Sequence, residues 1–154
     1  MPQSLVARLV LAGIVGFVAI QAIRPDRTNP AFEPAQAIDA GGHVPADVAL
    51  VLKRSCYDCH SNTTRWPWYS HIAPMSWGMA NHVKEGREAM NFSNWNTYPP
   101  KQKMKRLESM CDEVRQGKMP LGSYLLLHGD AKLSEADWRL ICDWSTDESD
   151  KVGR

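Results

Sequence analysis

The chain has 154 residues, room for one ordinary domain with a short appendage. Its 18 Lys and Arg balance 17 Asp and Glu, and a net charge of +1 leaves no electrostatic footprint for nucleic acid. Six tryptophans are many for this length, and such flat side chains suit a core or the walls of a planar cofactor pocket.

The first element is the apolar run "LVARLVLAGIVGFVAIQAI", Leu5 to Ile23, interrupted only by Arg8 and Gln21 near its ends. Nineteen helical residues would reach about 28 Å, close to the ~30 Å hydrocarbon core of a bilayer. The expectation is therefore one N-terminal transmembrane helix, an uncleaved signal-anchor over residues 1–23. A cleavable signal peptide is the rival reading, but the first Ala-x-Ala triplet, Ala35 to Ala37, lies well beyond the apolar core. Residues 24–45 carry prolines at 25, 30, 34 and 45 and read as an extended linker.

From Ala46 the pattern is helical. "ADVALVLKRSC" puts Val48, Val51, Leu52 and Ser55 on one face. A second helix is expected in "SWGMANHVKEGREAMNF", with a stripe of Trp77, Ala80, Val83 and Met90. A third, "KQKMKRLESMCDEVRQG", repeats Met104, Leu107, Met110 or Cys111 and Val114 and stops at Gly117. Its basic run Lys101 to Arg106 reads as a solvated face, or a dock for an acidic redox partner. The last helix, "SEADWRLICDW", opens with Ser134 and Asp137 at capping distance and turns Trp138, Ile141 or Cys142 and Trp144 inward. No run of alternating β-branched residues appears. The expected fold is all-α: a small helical domain over residues 46–147, which the motif below makes cytochrome c-like by resemblance, then a polar tail, 148–154.

The chemistry concentrates in "SCYDCHSNTTRWPWYSHIAP". Cys56-x-x-Cys59-His60 has the spacing of c-type haem attachment. Two thiols three residues apart at a helix start can each reach one vinyl group of a porphyrin, and the adjacent imidazole can project to its iron. Three other readings of the same residues exist. A redox C-x-x-C belongs in a βαβ context that is missing here, a zinc site needs a fourth ligand, and two core thiols can match by accident. A haem also needs a distal ligand or an open face. Met119, in the loop "QGKMPLGSY", is the candidate, because a soft, neutral thioether opposite histidine favours ferrous iron. His71, His82 and His128 are bis-histidine alternatives, while Met75 and Met79 read as core.

Arg65 can pair a haem propionate and Trp66 can pack the porphyrin edge with Trp68 and Tyr69; the plainer reading is an aromatic loop over the core. Cys111 and Cys142 each lie on the inward stripe of a helix. A disulfide between them suits the oxidising compartment in which such haems are attached; two buried free thiols are the alternative.

These pieces, with "IQAIRPDRTNP", "HVKEGREAMNFSNW" and "GKMPLGSYLLLHGDAKLSEADWRLICDW", resemble the bacterial haem-binding domain family of small membrane-anchored proteins related to c-type cytochromes. The resemblance spans about Ile20 to Trp144. It implies one covalent haem c on Cys56 and Cys59, His60 as proximal ligand, a retained N-terminal helix, and a haem domain facing the periplasm from an inner membrane. One departure is Leu121, where the family commonly has a second proline. The expected function is one-electron transfer with an unidentified redox partner protein. A haem-based sensor with an exchangeable sixth ligand and a zinc-stabilised structural domain are the alternatives. No nucleophile–base pair or paired carboxylates mark an enzyme.

Overall fold

The computed structural model describes residues 4–154 and is helical, with no strand among the described residues. Its α-helices are α1 (Leu5–Ile20), α2 (Ala46–Ser55), α3 (Tyr57–His60), α4 (Met75–Ala89), α5 (Pro100–Arg115), α6 (Gly122–Leu125) and α7 (Glu135–Val152).

The N-terminal helix departs from expectation in length. α1 stops at Ile20 after 16 residues, about 24 Å. The Gln21 amide donates back to Val18 O, and the Ala22 amide to Ala19 O. The Gln21 side chain exchanges hydrogen bonds with Ala73, donating to its carbonyl at 3.2 Å and accepting from its amide at 2.9 Å. Trp77 Nε1 holds the Ile23 carbonyl at 2.8 Å. The chain is thus turned and tied to the domain before it can add another helical turn. Among the described residues no helix is long and apolar enough to cross a membrane. The expected transmembrane helix, and the single-pass inner-membrane location with a periplasmic domain that rested on it, are therefore withdrawn.

Residues 24–45 are not a free tether either. Asn29 Nδ2 donates to Thr64 O at 2.9 Å, and Ile38 is buried, its amide donating to Phe92 O at 2.8 Å. Arg87 of α4 binds the Thr28 carbonyl and Asn29 Oδ1 from one side and Ser61 O from the other. Proline removes donors from this segment, but its carbonyls remain free to be captured.

The larger core joins α2 (Val48, Val51, Leu52), Phe92 and Trp95, α5 (Leu107, Met110, Val114) and α7 (Ile141, Trp144). A smaller cluster of Tyr69, Met79 and Val83 sits around α4, with Cys59, Trp66 and Tyr124 packed on it. α5 begins with Pro100 in its first turn, where a missing N–H costs nothing, and hands over to Gly117 at φ +67°. α7 opens with the Ser134–Asp137 capping box and runs through residues expected to form a polar tail, because Glu148 is buried there and pairs with Lys151 at 3.5 Å. Cys111 and Cys142 form a disulfide that joins α5 to α7, while Cys56 and Cys59 are free thiols.

That bridge closes 31 residues of chain. In the chain-entropy treatment the double variant Cys111→Ser/Cys142→Ser should lose about 3–4 kcal/mol of unfolding free energy, read from urea denaturation. A loss below about 1 kcal/mol would mean that the unfolded chain is not constrained by the bridge.

Candidate functional site

A cavity of about 760 Å³ opens between α3, α4, α5 and the loop that follows α5. Cys56, Cys59 and His60 line it from the attachment segment, Gly86 and Met90 from α4 and its exit, Met110 and Val114 from α5, and Met119 to Leu121 from the loop. Its volume falls within the roughly 300–1,000 Å³ typical of small-molecule and cofactor sites.

The local backbone explains how the two thiols and the imidazole meet there. α2 ends at Cys56, whose φ of −127° breaks the helix. The Cys56 carbonyl then accepts from Cys59 N at 3.2 Å and His60 N at 2.9 Å, starting the single turn of α3. One turn is too short to stand alone. α4 holds it from the side, and the approach is so close that a Cβ on Gly86 would lie 2.7 Å from the Cys59 carbonyl oxygen. Glycine is required at 86 for want of space, not for its dihedral freedom.

Where α4 ends, Met90 swings to an extended conformation, φ −160° and ψ 128°. Its carbonyl thereby turns to His60 Nδ1, 3.1 Å away. A carbonyl can only accept, so Nδ1 carries the proton and Nε2 keeps its lone pair. His60 retains some surface towards the cavity, but the protein packed around it pushes its pKa down and keeps the ring neutral. A neutral imidazole with Nδ1 tied back and Nε2 free is the form a metal requires.

The two thiols are held protonated. Burial first, and then the neighbouring Cys59, pushes Cys56 up to about 12. Burial and the Asp58 carboxylate push Cys59 up to about 11. Among the described residues no three His, Cys, Asp or Glu side chains come together in a way that could hold a metal ion. The zinc reading therefore lacks its ligand set.

Met119 is half-buried against the larger core and lines the cavity. Its amide and that of Lys118 both donate to Glu113 O, at 3.2 and 3.0 Å, which ties the start of the loop to the last turn of α5. On the far side of the loop Tyr124 also lines the cavity, and its hydroxyl donates to Asp58 Oδ2 at 2.8 Å. Burial and the Asp58 charge raise the Tyr124 pKa, so the hydroxyl remains a donor.

Arg65 and Trp66 do not line the cavity. Arg65 is exposed and pairs with Asp58, Nε to Oδ1 at 3.3 Å, while Trp66 lies behind Cys59 in the smaller cluster. Trp68 is 69% exposed, with its edge on Tyr69. Of the three alternative histidines only His82 reaches the cavity wall; His128 stacks on Tyr124, ring centroids 4.0 Å apart. Four residues escaped the sequence reading: Asp58, Gly86, Met90 and Tyr124. Gly86, one of two glycines inside the helical pattern of α4, was the one with a visible signal. A carbonyl acceptor such as Met90 O leaves none, since every residue has one.

The cavity meets what a haem demands. Its walls are largely apolar, two protonated thiols and an Nε2 lone pair share one wall, and a thioether lies on the loop. The sequence pattern of a family described as a haem-binding domain matches residues 15–147. No curated protein and no solved structure matches the chain.

Gly86→Ala should force α4 away from α3, destabilise the protein by about 1–3 kcal/mol and reduce haem loading. Gly78→Ala, on the same helix with nothing within 4 Å of the added methyl, should be neutral or stabilising by up to about 1 kcal/mol. Equal melting temperatures for the two variants would remove the close-approach argument.

Proposed function

The chain belongs to the haem-binding domain family, and we propose that it carries one covalent haem c as a single-electron carrier. Cys56 and Cys59 would hold the haem through thioether bonds, His60 would be the proximal ligand through Nε2, and Met119 the distal ligand. One observation carries the reading: a single cavity is lined at once by both thiols, the free face of the imidazole and the thioether. When bound, the haem supplies an iron that cycles between ferric and ferrous states, at a potential raised by Met/His ligation.

The protein's own part is positional. The Met90 carbonyl orients the His60 ring and fixes its tautomer. Phe92, whose ring lies 5.9 Å from that of His60, and the α5 side chains Met110 and Val114 give the cavity an apolar wall. A largely apolar cavity that would offer an iron both an imidazole and a thioether suits electron passage rather than substrate turnover. This is why a carrier, not a catalyst, is proposed, with a partner protein as electron donor or acceptor.

The decisive experiment is co-expression with a haem-attachment system, followed by denaturation and acid extraction into organic solvent. The haem colour should stay with the wild-type polypeptide and add one haem mass to it. It should leave completely with the solvent in Cys56→Ala/Cys59→Ala. Release from the wild type would end the covalent reading. Met119→Leu should keep the attached haem, lower the reduction potential and let the ferrous protein bind carbon monoxide; an unchanged spectrum and potential would assign the distal position to another residue.

A further inference from the structure

We propose that Tyr124 is a positioning residue: its hydroxyl latches the Met119 loop to the attachment segment and so controls access to the distal coordination position. Only the ligation part of this inference rests on the haem reading; the latch is a property of the chain itself.

The loop is a strap with two fastenings. At its start Lys118 and Met119 hang from the Glu113 carbonyl, so this end moves with α5. After Leu121 the chain makes the single turn of α6, where the Leu121 carbonyl accepts from Tyr124 N at 2.9 Å and Leu125 N at 3.1 Å. Tyr124 is thereby coupled through one hydrogen-bonded turn to the residues that follow Met119. Its hydroxyl then crosses to Asp58 Oδ2 at 2.8 Å. Among the described residues this is the single hydrogen bond that joins residues 117–125 to α3 or α4.

The acceptor is built to stay still. Asp58 lies between the two attachment cysteines and is buried; its Oδ1 accepts from Arg65 N at 3.1 Å and Nε at 3.3 Å, and its carbonyl accepts from Thr64 Oγ1 at 2.7 Å. The donor is equally constrained. Its ring stacks on His128 at an interplanar angle of 5° and packs on the Tyr69, Met79 and Val83 cluster. The bond is also charge-assisted, which makes it stronger than a neutral pair. Met119 packs on the larger core and Tyr124 on the smaller one, so the strap spans the seam in which the cavity lies. Removing the hydroxyl spares the ring packing and undoes one fastening alone.

The test compares full-length wild type, Tyr124→Phe and Tyr69→Phe. Tyr69→Phe deletes another tyrosine hydroxyl from the same cluster without touching Asp58. Hydrogen exchange on the haem-free chain reads the latch directly. The Tyr124 and Leu125 amides, bonded to the Leu121 carbonyl, should exchange about tenfold faster in Tyr124→Phe, with amides 118 and 119, α5 and α7 unchanged and with Tyr69→Phe like wild type. In the haem-loaded ferrous proteins, carbon monoxide should bind about tenfold faster to Tyr124→Phe, with weakening of the sulfur-to-iron absorption. Wild-type exchange in Tyr124→Phe, equal loosening in Tyr69→Phe, or carbon monoxide binding unaltered in the loaded variant overturns the proposal. So does protection lost across α5 and α7 together, which would make Tyr124 an ordinary core residue. A wild type that takes up no haem defeats the haem reading alone, because the exchange measurement still decides the latch.

Discussion

The contact on which the site depends is the approach of α4 to the single turn of α3, too close at Gly86 for any side chain. α3 has too few residues to hold its own helical conformation, so its shape is borrowed from the neighbour it touches. The same contact sets the height at which α4 ends. There Met90 leaves the helix with its carbonyl turned to His60, and the imidazole acquires both an orientation and a tautomer. Two segments some 30 residues apart thus act as one unit. The thiols lie on one of them and the element that aims the histidine on the other.

The opposite wall is organised by different forces. α5 packs along α7, the Cys111–Cys142 bridge closes that pair, and the larger core fills the space beneath them. α5 thereby becomes a fixed wall from which the Met119 loop departs. The cavity lies where the larger core meets the smaller cluster of Tyr69, Met79 and Val83, with Cys56 and Met119 on the first and Cys59 and Tyr124 on the second. A site at a seam of this kind keeps volume that a single close-packed core would have filled. Beside the two thiols its buried charge is Asp58, which is satisfied by Arg65 and Tyr124, while Glu85, Lys105, Arg106 and Glu113 lie along the rest of its lining.

Much of the helical framework was legible before the structure. The stripes that announced α2, α5 and α7 are, apart from the exposed Met104, the faces that pack, and Ser134 with Asp137 caps α7. On α4 the buried face is Ser76, Met79, Val83 and Gly86, which shares only Val83 with the expected stripe. The failures share a cause. Hydropathy runs on through Ala22 and Ile23, but Gln21 finds a partner in Ala73, 52 residues away, and the helix stops there. Prolines made residues 24–45 look like a tether, although their carbonyls and Ile38 are captured by the domain. Residues 148–154 read as a polar tail, whereas Glu148 is buried and the helix continues to Val152. Each error came from reading a segment by itself where a distant partner determines its state.

The sequence alone determined the type of chemistry. Two cysteines and a histidine within five residues stay close together in space because the chain between them is short, although the turn that orders them is held by α4. Stripes of apolar residues likewise determined which faces turn inward, since the helical period is local. Tertiary structure decided which residues serve that chemistry. The Met90 carbonyl on His60, the absent side chain at Gly86 and the Tyr124 hydroxyl on Asp58 all join positions 27 to 66 residues apart. It also decided that Arg65 and Trp66 stand away from the cavity, and that α1 ends short of a membrane span. Contacts of this range are products of packing, and no periodicity in a linear chain encodes the distance between two atoms that only the folded core brings together.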